Sequence, residues 1–126
     1  MNEFLLDLIK ERMFFSSSLE REFIRDVKEQ CCFVAANSDY FDEQATNFPL
    51  KRYKLPDGRA IEIGKEQFLC PDALFDTTLI DRDGESLQHV LHNALSKADL
   101  HIRKALVGNV VLAGGSTLFR GFKKRL

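Results

Sequence analysis

The sequence predicts a mixed α/β fold made of several helices, one β-hairpin and one buried strand. Three observations support this prediction: apolar residues at helical spacing, a Pro-Asp-Gly turn between two short runs, and a continuous apolar run at 110–113 before two glycines. A strand buried on both faces needs parallel neighbours, and no other run of this kind occurs. The sequence is therefore expected to be a portion of a larger α/β protein. A small α+β domain that associates through its strand edge is the alternative.

The composition indicates one folded domain or a piece of a larger one. The 126 residues are 44% apolar and 29% charged, and the 18 basic and 19 acidic residues give a net charge of −1. This balance lacks the positive excess that binding to nucleic acid requires. Three cysteines, two of them the neighbours Cys31 and Cys32, favour a reducing compartment over a disulfide framework. Secretion and membrane insertion are disfavoured, because neither a signal-peptide core nor an apolar run of membrane-spanning length occurs.

Two amphipathic helices are predicted in the first part of the chain. Apolar residues recur at helical spacing over residues 4–13, with charged residues between them. Ser17 and Glu20 fit a capping box, so a second helix is expected over residues 19–35. The polar and acidic segment 37–49 has no periodicity and is expected to be a solvated connection.

A β-hairpin is the clearest local prediction. Residues 53–55 lead into Pro56, Asp57 and Gly58, and residues 60–63 form the returning strand. Proline suits the second position of such a turn, and glycine can take a positive φ at its exit. A helical turn is expected over residues 65–69, and Pro71 is expected at the first position of a further helix.

The segment after residue 85 is expected to alternate between helix and strand. Ser86 is a predicted N-cap, and Asp99 is expected to cap a shorter helix that ends near Leu106. The apolar run at 110–113 is the predicted doubly buried strand, and helical spacing resumes at Leu118. The first of these helices is expected to bury the stripe Leu87, Val90, Leu91, Ala94 and Ala98.

The Gly-Gly-Ser-Thr sequence at 114–117 is the strongest chemical signal. Glycines allow close approach of a ligand to the backbone, and a helix N-terminus offers unpaired N–H groups. The spacing matches neither a phosphate-binding P-loop nor a dinucleotide fingerprint. From the residues alone, an ordinary strand-to-helix turn and a site for a nucleotide or other polar ligand both remain open.

Other polar groups give weaker signals. Arg25, Lys28 and Glu29 share one helix face, which could clamp a ribose or phosphate or could be a solvated surface. His89 and His92 lie three residues apart but lack further metal ligands, so a structural role is favoured. The cysteines match no nucleophile pattern, and packing is the preferred interpretation. The basic residues near the end are expected to complement a helix C-terminus: Arg120, Lys123, Lys124 and Arg125.

Five separated motifs resemble actin and the actin-related proteins, in the order of that family and at nearly its spacing. They are Tyr-Lys-Leu-Pro-Asp-Gly at 53–58 with Ile-Glu-Ile-Gly at 61–64, Phe-Leu-Cys-Pro-Asp-Ala-Leu-Phe at 68–75, Arg-Asp-Val-Lys-Glu at 25–29, His-Ile-Arg-Lys at 101–104, and Asn-Val-Val-Leu-Ala-Gly-Gly-Ser-Thr-Leu-Phe at 109–119. The spelling at 114–122 is especially similar to centractin, the actin-related protein of the dynactin filament.

The resemblance implies a partial actin-like fold of the ribonuclease H-like ATPase class. Residues 1–85 resemble the fourth actin subdomain, and residues 86–126 resemble part of the third. By the same resemblance, Arg25, Lys28 and Glu29 border the adenine and ribose of bound ATP. The residues implied on the other side of the base are Gly115, Ser116, Leu118 and Phe119, and Gly114 is implied to shape the turn of this binding loop.

The function implied is one wall of an adenine-nucleotide cleft, in a parent protein that acts in cytoskeletal filaments or actin-related assemblies. The alternative is a scaffold subunit of a dynactin-like or chromatin-remodelling complex, with ATP bound structurally or not at all. The expected partners are other actin-family subunits or actin-binding proteins, without nucleic acid or membrane insertion. The expected location is the cytoplasm, within the cytoskeleton, or the nucleus.

ATP or ADP with Mg²⁺ is the cofactor expected for the full-length parent, and weak or no binding is expected for this chain. The family's two phosphate-binding hairpins and its Mg²⁺-holding residues have no counterpart in this sequence. No catalytic residue or metal ligand is therefore assigned. Hydrolysis by this chain alone is not expected, since phosphoryl transfer needs metal and positioning groups together.

Overall fold

The computed structural model describes residues 1–10, 20–35, 50–55, 58–81 and 83–126. The helices and strands are α1 (Asn2–Lys10), α2 (Glu20–Cys31), β1 (Lys51–Lys54), β2 (Ala60–Ile63), α3 (Glu66–Asp72), α4 (Leu87–Ser96), α5 (Leu100–Gly108) and α6 (Phe122–Arg125), with 3₁₀ helices at Thr77–Ile80 and Gly115–Leu118. This combination of helices with one small sheet confirms the predicted α/β class. No helix within these ranges is long and apolar enough to cross a membrane.

The core forms where α1 and α2 pack against each other and against α3. Leu5 and Ile9 of α1 are buried at helical spacing, as are Ile24 and Val27 of α2. Burial of one apolar stripe per helix is the main stabilisation that amphipathic helices receive. The predicted end of the first helix at residue 13 and the predicted Ser17 cap lie outside the described residues.

Helix α2 ends at Cys31, and the prediction that it continues to residue 35 is wrong. The Cys32 amide still donates to the Lys28 carbonyl at 3.2 Å, but the amides of the next two residues bond to distant parts of the chain. The Phe33 amide donates to the Gln67 carbonyl at 3.0 Å, and the Val34 amide donates to the Arg120 carbonyl at 2.9 Å. These bonds replace the intrahelical ones that periodicity alone would predict.

The predicted hairpin is confirmed. Strands β1 and β2 pair antiparallel, with Lys51 opposite Ile63 and Lys54 opposite Ala60. Gly58 has φ of +90°, the conformation for which a glycine was expected at this turn. Ile63 is buried on the core face of β2. The first two turn residues, Pro56 and Asp57, lie outside the described residues.

Helix α3 corrects the expected position of Pro71, which lies near the helix end and not at its first position. Within an α-helix the amide of residue 71 would bond the carbonyl of residue 67, and proline has no such amide. The Gln67 carbonyl instead accepts the hydrogen bond from the Phe33 amide. The proline is therefore tolerated where α3 meets the segment that follows α2.

Two predicted caps lie where α4 and α5 begin. The Ser86 hydroxyl accepts a bond from the His89 amide at 3.3 Å, which confirms this cap. Asp99 occupies the N-cap of α5, but its side chain makes no capping bond, and α5 extends to Gly108 beyond the expected end. The predicted burial of the α4 stripe is wrong, because neither α4 nor α5 has a buried residue.

Residues 110–113 do not form the predicted strand. A strand needs a partner for its backbone bonds, and the two described strands pair with each other. Val111 accordingly leaves 87% of its surface exposed. Leu112 is partly buried against the core, and full burial resumes at Phe119 and Phe122. The centre of the Phe122 ring lies 5.5 Å from that of Phe75.

Candidate functional site

A cavity of about 860 Å³ lies between α2 and the loop that precedes α6. This volume falls within the range usual for small-molecule sites. The lining residues come from parts of the chain far apart in sequence: Arg25, Lys28, Glu29, Gln30, Cys31, Cys32, Phe33, Lys51, Gln67, Gly115, Ser116, Leu118, Phe119 and Arg120. Every residue expected from the sequence to contact nucleotide lines this cavity except Gly114.

Helix α2 provides the charged side of the cavity. Its spacing places Arg25, Lys28 and Glu29 on one face. The Arg25 guanidinium donates from Nε to Glu29 Oε1 at 3.1 Å, and both side chains are mostly exposed. Lys28 is partly buried. This face can therefore offer ammonium and guanidinium donors and a carboxylate acceptor to a ligand.

The glycine-rich loop forms the opposite side. Gly114 has φ of +94° and ψ of 157°, a conformation open almost only to glycine. Its carbonyl accepts bonds from the Thr117 amide at 3.1 Å and the Thr117 hydroxyl at 2.7 Å. Gly114 therefore shapes the turn without lining the cavity.

The residues after the turn line the cavity, and one of them, Phe119, also belongs to the core. Ser116 is exposed, and Leu118 leaves 84% of its surface uncovered. Phe119 is only 8% exposed, since its ring belongs to the core cluster. The loop is thus anchored by an aromatic side chain and presents a hydroxyl and an apolar side chain beside the cavity.

Arg120 is a cavity residue that the sequence interpretation missed. It was expected to complement the C-terminus of the last helix, but it precedes α6, and only Lys123, Lys124 and Arg125 occupy the last turn. Its carbonyl bonds the Val34 amide, and its guanidinium lies 5.2 Å from the centre of the Phe33 ring. No local motif marks this pair, because only tertiary contacts bring residues 33 and 120 together.

Lys51 is a second cationic residue without a sequence signal. Its ammonium donates to the carbonyl of Gln30, in the last turn of α2. A cation is favourable there because the C-terminal end of a helix carries partial negative charge. The same placement adds a positive charge to the cavity lining.

The cysteines are all buried, as the packing interpretation expects. Burial raises the pKa of Cys31. The thiols of Cys32 and Cys70 hydrogen-bond to each other, which raises the pKa of Cys32 and lowers that of Cys70. Cys31 and Cys32, which line the cavity, therefore remain protonated near neutral pH, and neither is a ready nucleophile.

The two helical histidines do not converge on a common point. His89 Nε2 lies 3.6 Å from Glu85, whereas His92 Nε2 lies 3.4 Å from the Ser96 hydroxyl. In the described ranges, no group of three or more His, Cys, Asp or Glu side chains could hold a metal ion. This part of the chain therefore offers no Mg²⁺ cage of its own.

Two comparisons with known proteins cover nearly the whole chain. A family model described as Actin matches residues 7–126. The actin-29 protein of Dictyostelium discoideum is 34% identical over an alignment of 131 residues, which covers 100% of this chain and 34% of that protein. The chain thus spans about a third of the length of this relative.

Proposed function

The chain belongs to the actin family, and from this premise we propose that it forms one wall of an adenine-nucleotide cleft. The observation that supports the proposal is the single cavity lined by both the charged face of α2 and the Gly-Gly loop. These two elements lie far apart in sequence, and each one alone is compatible with a purely structural role. Their meeting at one cavity with polar and apolar sides is what a nucleotide requires.

The base would lie against the loop that contains Leu118. Most of this apolar side chain is uncovered, and Gly115 beside it has no side chain to obstruct a ring. A planar base that covers Leu118 removes apolar surface from water and gains the corresponding free energy. The Ser116 hydroxyl can donate or accept a hydrogen bond at the edge of the base.

The ribose would lie against α2. The Glu29 carboxylate can accept hydrogen bonds from sugar hydroxyls, and a charged acceptor makes such bonds stronger than a neutral one does. Arg25 holds this carboxylate through its 3.1 Å contact, so the acceptor is oriented before a ligand arrives. Lys28, one residue before Glu29, can donate to ring nitrogens or sugar oxygens.

Phosphate and Mg²⁺ chemistry is assigned to other parts of an actin-family protein. Mg²⁺ neutralises phosphate charge when bound, and it needs oxygen ligands that the described residues do not gather in one place. The role proposed for this chain is therefore to bind and orient the nucleotide without holding Mg²⁺. In the whole protein, closure over the phosphates would couple nucleotide state to conformation in filaments or actin-related assemblies.

Titration of the ¹⁵N-labelled chain with ATP, followed by NMR, tests this proposal because it detects even weak binding. We expect shifts confined to α2, the residues just after it and the loop at 114–120. Lys28→Ala and Glu29→Gln should each weaken binding by about tenfold, the usual cost of a lost charged hydrogen bond. Lys104→Ala, at an exposed lysine of α5 outside the cavity, is the matched control.

Equal affinities in all three variants, or shifts spread over unrelated surfaces, would contradict the proposed cleft. The same titration with Mg²⁺ on an actin-family parent that contains this chain should show much tighter binding, accompanied by slow turnover. If that parent enters a multi-subunit complex and binds no nucleotide, the scaffold role becomes the better description.

A further inference from the structure

The cavity wall is strongly positive, although the chain as a whole is slightly negative. Arg25, Lys28, Lys51 and Arg120 line the cavity together with one carboxylate, that of Glu29. The formal excess is three positive charges, compared with a net charge of −1 for the 126 residues. A cleft lined by one sign of charge concentrates ligands of the opposite sign.

The cations are not equally available to a ligand. Arg25 is already paired with Glu29 at 3.1 Å, and Lys51 is bonded to the Gln30 carbonyl. Arg120 faces an aromatic ring, and within the described ranges no carboxylate pairs with it. No ion pair among the described residues therefore offsets its charge, which is available to an anion at the cavity.

Arg120 is also held in place by its backbone. Its carbonyl accepts the bond from the Val34 amide, and the next residue, Gly121, has φ of +90° and lies tightly against Val34. The stacking of the guanidinium on Phe33 further limits the side chain. A cation held in this way loses less conformational freedom when it meets an anion than a free surface lysine does.

We propose that Arg120 is a charge-selecting residue of this cleft, which makes it favour phosphorylated nucleosides over the uncharged nucleoside. Lys28 and Lys51 supply the surrounding positive field, and Arg120 supplies the directed donors. This inference rests on the nucleotide cleft proposed above and adds a specificity element to it. Because Arg120 is exposed, its effect is screened by salt and should be moderate, about threefold to tenfold at low ionic strength.

Arg120→Gln tests the inference, with Lys123→Gln as its control. Both changes remove one positive charge within a few residues of each other, but Lys123 is exposed on α6 and does not line the cavity. The probes are adenosine, AMP and ATP without Mg²⁺, titrated against each ¹⁵N-labelled chain at low and high salt. Arg120→Lys, which keeps the charge, provides the rescue, and circular dichroism verifies that every variant is folded.

We expect Arg120→Gln to weaken the binding of ATP about threefold to tenfold at low salt. The binding of AMP should weaken less, and the binding of adenosine should not change. The lysine variant should recover most of the ATP affinity, and the Lys123→Gln control should change it less than about twofold. An equal loss for adenosine and ATP would show that Arg120 acts through packing and would overturn the inference. An equal loss in both glutamine variants would overturn it as well, since total charge would then be responsible.

The proposed function and this inference can fail separately. If ATP binds, and Lys28→Ala weakens its binding while Arg120→Gln does not, the nucleotide cleft is supported and the charge-selecting role is overturned. If the three probes shift the cavity residues neither in the unaltered chain nor in an actin-family parent that contains it, the nucleotide cleft fails and the inference fails with it.

Discussion

Gly121 packs directly against the backbone of Val34, so closely that a β-carbon at residue 121 would come within 2.2 Å of the Val34 carbonyl oxygen. The contact lies beside the 2.9 Å bond from the Val34 amide to the Arg120 carbonyl. Together they fasten the Gly-Gly loop to the segment that follows α2. The two sides of the cavity are therefore held by backbone contacts, and Gly121 is the residue that permits the approach.

Gly121→Ala should destabilise the fold by roughly 2–4 kcal/mol, because it combines a positive φ with a steric clash. Urea denaturation at neutral pH measures the change. Gly108→Ala is the matched control, since Gly108 is in helix α5 with nothing within 4 Å of the added atom. That change, at the exposed last residue of the helix, should alter stability by less than about 0.5 kcal/mol. Similar effects at the two positions would contradict the close packing at Gly121.

Tyr53→Phe should lower the stability of the fold near neutral pH. It should also weaken the dependence of that stability on pH in the alkaline range. The Tyr53 hydroxyl donates to Asp26, and this bond raises the pKa of Tyr53 from 10 to about 12. The unfolded phenol therefore loses its proton first, so stability falls between pH 10 and about 12. The loss at neutral pH should be about 0.5 kcal/mol, since solvent reaches the pair.

Urea titrations at several pH values would check this prediction. Stability of the unaltered chain should decline faster than that of Tyr53→Phe above pH 10. Parallel curves for the two proteins would mean that the hydrogen bond to Asp26 does not shift this titration.

Arg125→Met should destabilise the fold more than Asp72→Asn does. Arg125 Nη2 lies 3.7 Å from Asp72 Oδ1, both side chains are largely buried, and the guanidinium also lies 5.8 Å from the Phe75 ring. Burial raises the pKa of Asp72 despite the nearby Arg125. Ionisation of this carboxyl therefore lowers the stability of the fold at neutral pH. Below the unfolded pKa of 3.8 the carboxyl is protonated in both states, and this loss of stability is absent. Removal of the cation leaves that buried carboxylate uncompensated, at a cost of about 3 kcal/mol.

Asp72→Asn removes the buried charge and should change stability at pH 7 by less than about 1 kcal/mol. The double variant tests the coupling of the two residues by thermal denaturation. It should be more stable than Arg125→Met alone, because the unpaired carboxylate is gone. Purely additive effects would show that the two side chains are not coupled.

Val111→Asp should leave the melting temperature of this chain unchanged within a degree or two. The side chain is 87% exposed, and exposed positions rarely change stability by more than about 0.5 kcal/mol. Ile24→Asp, at a buried position of α2, should prevent folding. A large loss at Val111 would mean that this segment is covered in solution, as the apolar run in the sequence had predicted.

Local features of the fold could be read from the sequence because neighbouring residues determine them. The Pro-Asp-Gly hairpin and the Ser86 cap depend on residues a few positions apart, and both were predicted correctly. The buried stripes of α1 and α2 follow from helical spacing in the same way. For the candidate site, the family resemblance pointed to α2 and the Gly-Gly loop. The structure places seven of those eight residues at one cavity, while their contact with nucleotide stays a prediction.

Only the tertiary structure decided where long-range bonds override local preference. Helix α2 ends at Cys31 because the amides of Phe33 and Val34 find partners at residues 67 and 120. Residues 110–113 remain outside a sheet because no described strand pairs with them. Arg120 lines the cavity, where its backbone is held by the same hydrogen bond from the Val34 amide. No pattern in the sequence indicated this position. Spacing along a chain specifies which face of an element is apolar, whereas the partner of that face is chosen by burial and hydrogen bonding across the whole fold.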